Sequence, residues 1–164
     1  MRLFWVIVLG LLVAACAPTP SRPPSLPGGI AVRDRHDSAA QLAAALVGSP
    51  YRFGGSEPSG FDCSGLVYYV YAQAGVRLPR TAAEQQAQTI PVAFDALAPG
   101  DLVFFKTPAD HVGIYIGGGE FVHAPASGRK VERARLNSPF FLLGFAGARR
   151  VVRDERAMAC CRVN

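Results

Sequence analysis

His111-Val112-Gly113-Ile114-Tyr115-Ile116-Gly117-Gly118-Gly119-Glu120-Phe121-Val122-His123-Ala124 is the stretch whose reading decides the fold. Three consecutive glycines separate two short runs of strand-forming residues, and glycine makes a tight turn of either handedness, so 111–116 and 120–124 are expected to form a hairpin. The same period of two runs through Asp101 to Lys106, Lys130 to Arg135 and about Gly147 to Arg153. Upstream of Pro99-Gly100 the signals are helical. Asp37 is the expected N-cap of a helix over Ser38 to Val47, stopped by Gly48 and Pro50. Tyr51 to Gly55 reads as a short extended piece. A second helix runs from Cys63 to Ala74 and ends at Gly75, and Thr81 with Glu84 forms a capping box for a third, through about Gln88. Helices first and an antiparallel sheet afterwards define an α+β domain, with N-terminal helices packed on a central sheet.

At 164 residues, half of them apolar and 18% charged, the chain suffices for one domain. Arg2 followed by the apolar run Leu3 to Val13 reads as a secretory signal, too short for a comfortable membrane span. Val13-Ala14-Ala15-Cys16 resembles the lipobox of bacterial lipoproteins, which implies a signal peptide over 1–15 and lipidation of Cys16; an ordinary signal cleaved near Ala17 is the alternative. Ala at position 17 resembles lipoproteins sent to the outer membrane, facing the periplasm. Residues 16–36, with Pro18, Pro20, Pro23, Pro24 and Pro27, read as a tether, 37–153 as the folded domain and 154–164 as a tail.

Cleavage before Cys16 removes Arg2 and leaves a net charge of +4. The arginines are scattered and lack interleaved aromatic residues, so nucleic acid is not an expected partner. Among the four cysteines, Cys160 and Cys161 are neighbours in the tail, free, paired between molecules or bound to something else.

Chemistry concentrates in three residues. Cys63 opens a helix, where peptide dipoles favour a thiolate. In a hairpin centred on Gly117, His111 lies directly opposite His123, on the same face, so that His123 holds the second nitrogen of His111. A register slipped by one residue would turn His123 to the other face. Each residue also has a plainer reading: Cys63 as a buried small hydrophobe, His111 as a solvated strand start, His123 as a satisfied histidine at a sheet edge. A zinc site of Cys63, His111 and His123 is a further alternative.

Read together, the motifs resemble the NlpC-type family of bacterial cell-wall cysteine peptidases, with a pared-down papain-like fold. The matching stretches are Pro50-Tyr51-Arg52-Phe53-Gly54-Gly55, Phe61-Asp62-Cys63-Ser64-Gly65-Leu66-Val67, Leu78-Pro79-Arg80-Thr81, Pro99-Gly100-Asp101-Leu102-Val103-Phe104-Phe105, His111-Val112-Gly113-Ile114-Tyr115, Phe121-Val122-His123-Ala124 and Gly147-Ala148-Arg149-Arg150-Val151. The resemblance implies Cys63 as nucleophile, His111 as general base and then acid, and His123 as the third member of the triad. It implies Tyr51, Asp62, Ser64 and Arg80 as substrate-binding residues, against plainer roles for Tyr51 as a core aromatic, Asp62 as an N-cap and Arg80 as a surface arginine. Phe53 stands where many relatives have Trp.

The implied substrate is a peptidoglycan stem peptide, cut between D-glutamate and the diamino acid by a monomer that needs no metal or cofactor. Amidase or acyltransferase chemistry on the same fold is one rival. A lipoprotein that binds wall peptides without cutting them is another, and a purely structural lipoprotein a third.

Overall fold

The computed structural model describes residues 32–106 and 110–152. The signal segment, Cys16, the proline-rich stretch as far as residue 31, Cys160 and Cys161 lie outside the described residues.

The first helix, α1 (Val32–Ala45), starts earlier than the expected Ser38, and Asp37 lies inside it instead of capping it. The extra turns are held locally and by packing. Asp34 in the first turn complements the helix dipole, and the Ser38 hydroxyl donates to the Asp34 carbonyl at 2.6 Å. His36, buried, donates from Nε2 to the Val151 carbonyl at 2.9 Å, tying α1 to the end of the last strand. Ala39, Ala40 and Ala43 form its buried face and let it lie close to the sheet.

Two dipeptide strands, β1 (Ser56–Glu57) and β2 (Gly60–Phe61), pair as a small hairpin and lead into α2 (Cys63–Gln73). Asp62 caps α2, accepting from the Gly65 N–H, and the helix stops at Gln73, one residue short of the expected Ala74, with Gly75 at positive φ just beyond. The capping box is also present: Thr81 Oγ1 accepts from the Glu84 N–H, the Glu84 carboxylate accepts from the Thr81 N–H, and α3 (Ala82–Gln88) follows.

The remaining strands are β3 (Ile90–Val92), β4 (Leu102–Phe105), β5 (His111–Gly117), β6 (Glu120–His123), β7 (Glu132–Arg135) and β8 (Phe145–Arg150), with a 3-10 turn at Phe94–Ala96 and a one-turn helix α4 (Pro139–Gly144). They form one antiparallel sheet in the order β3-β8-β4-β5-β6-β7. Strands β1, β2 and β3 and helix α4 are too short to carry a clear period and are additions to what the sequence predicts. Helices α1 and α2 cover one face, where Leu66, Val67 and Val70 of α2 pack with Leu102, Phe104, Val112 and Ile114 of the sheet. The other face buries Val103, Phe105, Phe121, Leu136 and Ala148 beneath Phe141 and Phe145. Strand β4 is therefore buried on both sides.

The hairpin register differs from the one centred on Gly117. Ile114 faces Val122 and Tyr115 faces Phe121, with a bulge before Gly117. Gly117, Gly118 and Gly119 all take positive φ, so the turn proper lies one residue later than the symmetric reading places it. The shift amounts to two residues in pairing. Because side chains alternate with period two, His111 and His123 stay on one face but meet diagonally instead of directly across.

Among the described residues, no helix is long and apolar enough to cross a membrane.

Candidate active site

Cys63 occupies the first turn of α2, half-buried, with a free thiol. Its sulfur lies 3.9 Å from the carbonyl oxygen of Asp110 and is also approached by the N–H of Val112. Those are the residues on either side of His111, so the start of β5 brings the imidazole's own backbone against the sulfur. His111 Nε2 and His123 Nδ1 stand 2.8 Å apart. That contact occupies Nε2 and leaves Nδ1 of His111 as the nitrogen available to a thiol.

The diagonal geometry depends on Gly113. A Cβ there would lie 2.5 Å from Phe121 Cδ2, because the Phe121 ring fills the space above the glycine. Phe121 in turn packs on His123 with ring centres 5.1 Å apart. Phe105 stands 5.9 Å from His111, and Phe141 of α4 covers His123 at 5.3 Å, edge to face. The sequence gives no signal for Phe141, since its helix is short and its ring partners Phe105, Phe121 and His123 come from two distant strands, β4 and β6.

This aromatic enclosure sets the protonation states. Burial pushes His111 below the usual imidazole range; Lys106 adds to the effect while Asp110 opposes it. Burial pushes His123 down to about 3, reinforced by His111 and Arg129. Burial also pushes the Cys63 thiol up, helped by the negative charge of Asp62, while the N–H groups of Val112, Ser64 and Cys63 pull the other way. At the sulfur, burial works against the charge that the helix start favours and outweighs the N–H groups.

Asp62, Ser64 and Arg80 form one network. Arg80 Nη1 donates to Asp62 Oδ1 at 2.9 Å and to Ser64 Oγ at 3.0 Å, and Nη2 donates to Asp62 Oδ2 at 2.6 Å and to the Gly55 carbonyl at 3.2 Å. Asp62 also accepts from the N–H groups of Gly54 at 2.9 Å and Gly65 at 2.7 Å. The Arg80 pairing and the two N–H groups overcome the burial penalty and hold the Asp62 carboxyl below its usual range. The N-cap role of Asp62 is real, and both its oxygens are engaged in holding the loop, helix and arginine together. Burial, with Cys63 and Asp62 nearby, raises the Tyr51 phenol, so it stays a neutral hydrogen-bond donor at the same wall.

Two hollows meet at this site. One, of about 490 Å³, is lined by Tyr51, Asp62, Cys63, Ser64 and Arg80, with the exposed ring of Phe53 on its rim. The other, of about 750 Å³, is lined by Lys106, His111, His123, Arg129, Glu132 and Phe141 among others. Asp110 belongs to both. Among the described residues no group of three or more His, Cys, Asp or Glu side chains is placed to hold a metal ion, and His111 and His123 turn nitrogens toward each other instead of converging with Cys63 on a common point.

Helices on an antiparallel sheet, with a cysteine at a helix start against paired imidazoles on adjacent strands, define a papain-like α+β domain. The chain belongs to the NlpC/P60 family, whose model matches residues 48–150. It is 45% identical over 114 residues to the murein DD-endopeptidase MepH of Escherichia coli, covering 65% of this chain and 42% of that one. It is 47% identical over 116 residues to a gamma-DL-glutamyl hydrolase of Bacillus subtilis, covering 67% of this chain and 28% of that one. The chain thus spans less than half the length of either relative. A crystal structure of an NlpC/P60 family protein from Bacillus cereus superposes with a TM-score of 0.68 at 34% identity, over 72% of this chain and 40% of that one.

Proposed function

We propose that this protein is a cysteine peptidase that hydrolyses an amide bond in peptidoglycan stem peptides, at the D-γ-glutamyl link to the diamino acid. The observation that carries the reading is the placement of Cys63 and the His111–His123 pair at the junction of two hollows. A peptide lying across the junction presents its carbonyl to the sulfur and its leaving nitrogen to the imidazole side.

Starting from the neutral pair, Nδ1 of His111 takes the Cys63 proton as the sulfur attacks the carbonyl carbon. The Cys63 N–H, at the helix start, donates to the resulting oxyanion. The imidazolium then gives its proton to the leaving amine as the C–N bond breaks, leaving a thioester. Water, deprotonated by the same imidazole, attacks the thioester, and the thiol regains its proton. His123 stabilises His111⁺ by accepting from its Nε2–H, a role that requires His123 to remain neutral. On the acyl side, Tyr51 and Arg80 present donors to the bound stem peptide, while Asp62 holds Arg80, accepts from the Ser64 hydroxyl and sets the local negative charge.

The wider envelope reading supports this substrate. Val13-Ala14-Ala15-Cys16 favours lipidation at Cys16, and the proline-rich segment that follows suits a tether holding the domain off the outer membrane, toward the wall.

Digestion of purified peptidoglycan fragments, with products identified by mass, tests the reading. The expected result is cleavage at one stem-peptide bond, lost in Cys63→Ala. The names of the two relatives point to different bonds, and the product masses decide between a γ-glutamyl link and a D,D cross-link. Stem-peptide binding without cleavage by the protein and by Cys63→Ala alike would instead support a non-catalytic wall-binding lipoprotein.

A further inference from the structure

Strands β6 and β7 pair so that His123 lies directly across from Glu132. His123 is buried, with 3% of its side chain exposed, and its Nε2 has no hydrogen-bond partner. A buried N–H with no acceptor is costly. The acceptor aimed at it is Glu132 Oε1, 3.6 Å away. Glu132 is one-third exposed, and both its oxygens are held at 2.7 Å by Nη2 of Arg129. Every other wall of the His123 ring described above is aromatic or is His111 itself.

We propose that Glu132 is a positioning residue that extends the Cys63, His111, His123 array to a fourth member by fixing the proton of His123 on Nε2. This rests on the catalytic reading above. For His111⁺ to be stabilised, its Nε2–H must donate to Nδ1 of His123, so Nδ1 must be unprotonated and the single proton of neutral His123 must sit on Nε2. Glu132 is the group that favours this tautomer. No proton passes to the carboxylate. When His111 takes the thiol proton, its stronger donation polarises His123, the Nε2–H becomes more positive, and a small rotation of the one-third-exposed Glu132 closes the 3.6 Å gap. Arg129 limits the effect by offsetting the carboxylate's charge, which keeps His123 an imidazole and not an imidazolium. The groups that face His123 are thus His111 from β5, Glu132 from β7 and Arg129 from the loop before β7.

Nitrogen-15 NMR of the imidazoles reads the tautomer whether or not a substrate has been found, and it is paired with stem-peptide kinetics on Glu132→Ala and Glu132→Gln. The expected wild-type spectrum has His123 protonated at Nε2. Glu132→Gln keeps an acceptor while breaking the ion pair to Arg129, so it retains that tautomer and a kcat within about threefold of wild type. Glu132→Ala loses the tautomer preference and roughly tenfold in kcat with KM little changed, the size of effect that partners orienting a functional histidine produce elsewhere. An Nδ1–H tautomer in the wild type overturns the proposal, even if neither variant folds. So does an Ala variant that matches wild type in spectrum and kcat, or a Gln variant as damaged as the Ala one, since that result assigns the effect to the ion pair. A wild-type protein that cuts no stem peptide while showing the Nε2–H tautomer, lost in Glu132→Ala, defeats the peptidase reading and leaves the assignment of Glu132 standing.

Discussion

The buried imidazoles should make the fold sensitive to mild acid. An unfolded histidine titrates near 6.5, whereas His123 in the folded protein is pushed down to about 3, first by burial and then by His111 and Arg129. The folded value is the lower one, so between these limits the unfolded chain binds the extra proton. Stability from this group is complete above pH 6.5 and falls as pH drops toward 3. At pH 4.5 the solution lies two units below the unfolded value and still above the folded one, and at about 1.4 kcal/mol per unit the loss is on the order of 2–3 kcal/mol. That is a large share of the roughly 5–15 kcal/mol typical of a domain. Asp62 acts in a different window: its folded pKa is lowered from 3.8, so its contribution is lost only at still more acid pH. Urea unfolding of wild type and His123→Asn at pH 7 and 4.5 isolates the histidine, because asparagine never charges. The stability advantage of the wild type over the variant should shrink by about 2–3 kcal/mol between the two pH values. Parallel pH dependences would refute the reasoning, since they would mean that His123 is not held neutral by the fold.

Two substitutions test the geometry around this pair. Gly113→Ala places a Cβ 2.5 Å from Phe121 and 3.0 Å from the Val122 carbonyl, so it should lower stability by about 1–3 kcal/mol and, by displacing the ring that packs on His123, reduce stem-peptide turnover; a Tm and kcat equal to wild type would show that Phe121 moves freely. Asp62→Asn keeps an effective N-cap for α2 but removes the negative charge that helps to raise the Cys63 thiol, so the pH midpoint of Cys63 alkylation should move down; an unchanged or higher midpoint would mean that Asp62 does not act on the sulfur through its charge.

The sequence was most legible where structure depends on neighbours within a turn. Asp62 and Thr81 cap helices because their side chains reach an N–H three residues on, and both caps can be read by counting. The start of α1 was misplaced because Asp37 looks like a cap, yet His36 gains a bond to Val151, 115 residues away, that makes the earlier turns worth forming. The short helix bearing Phe141 was invisible because one turn of Pro-Phe-Phe-Leu-Leu-Gly has no period to detect. The shared face of His111 and His123 survived an error in register because the error was an even number of residues.

What the sequence by itself determined is the inventory and its local presentation: a cysteine at a helix start, two histidines flanking a glycine turn, an arginine after Leu78-Pro79, and an α+β order of elements. These follow from capping, alternation and turn chemistry, which act over a few residues. Tertiary structure decided what those groups do to one another. The bulge that makes the histidines meet diagonally, the aromatic walls that disfavour charge on the imidazoles, the division into two hollows, and Glu132 across from His123 all arise from strands pairing over long separations, where register and burial are set by the whole core and no short stretch encodes them.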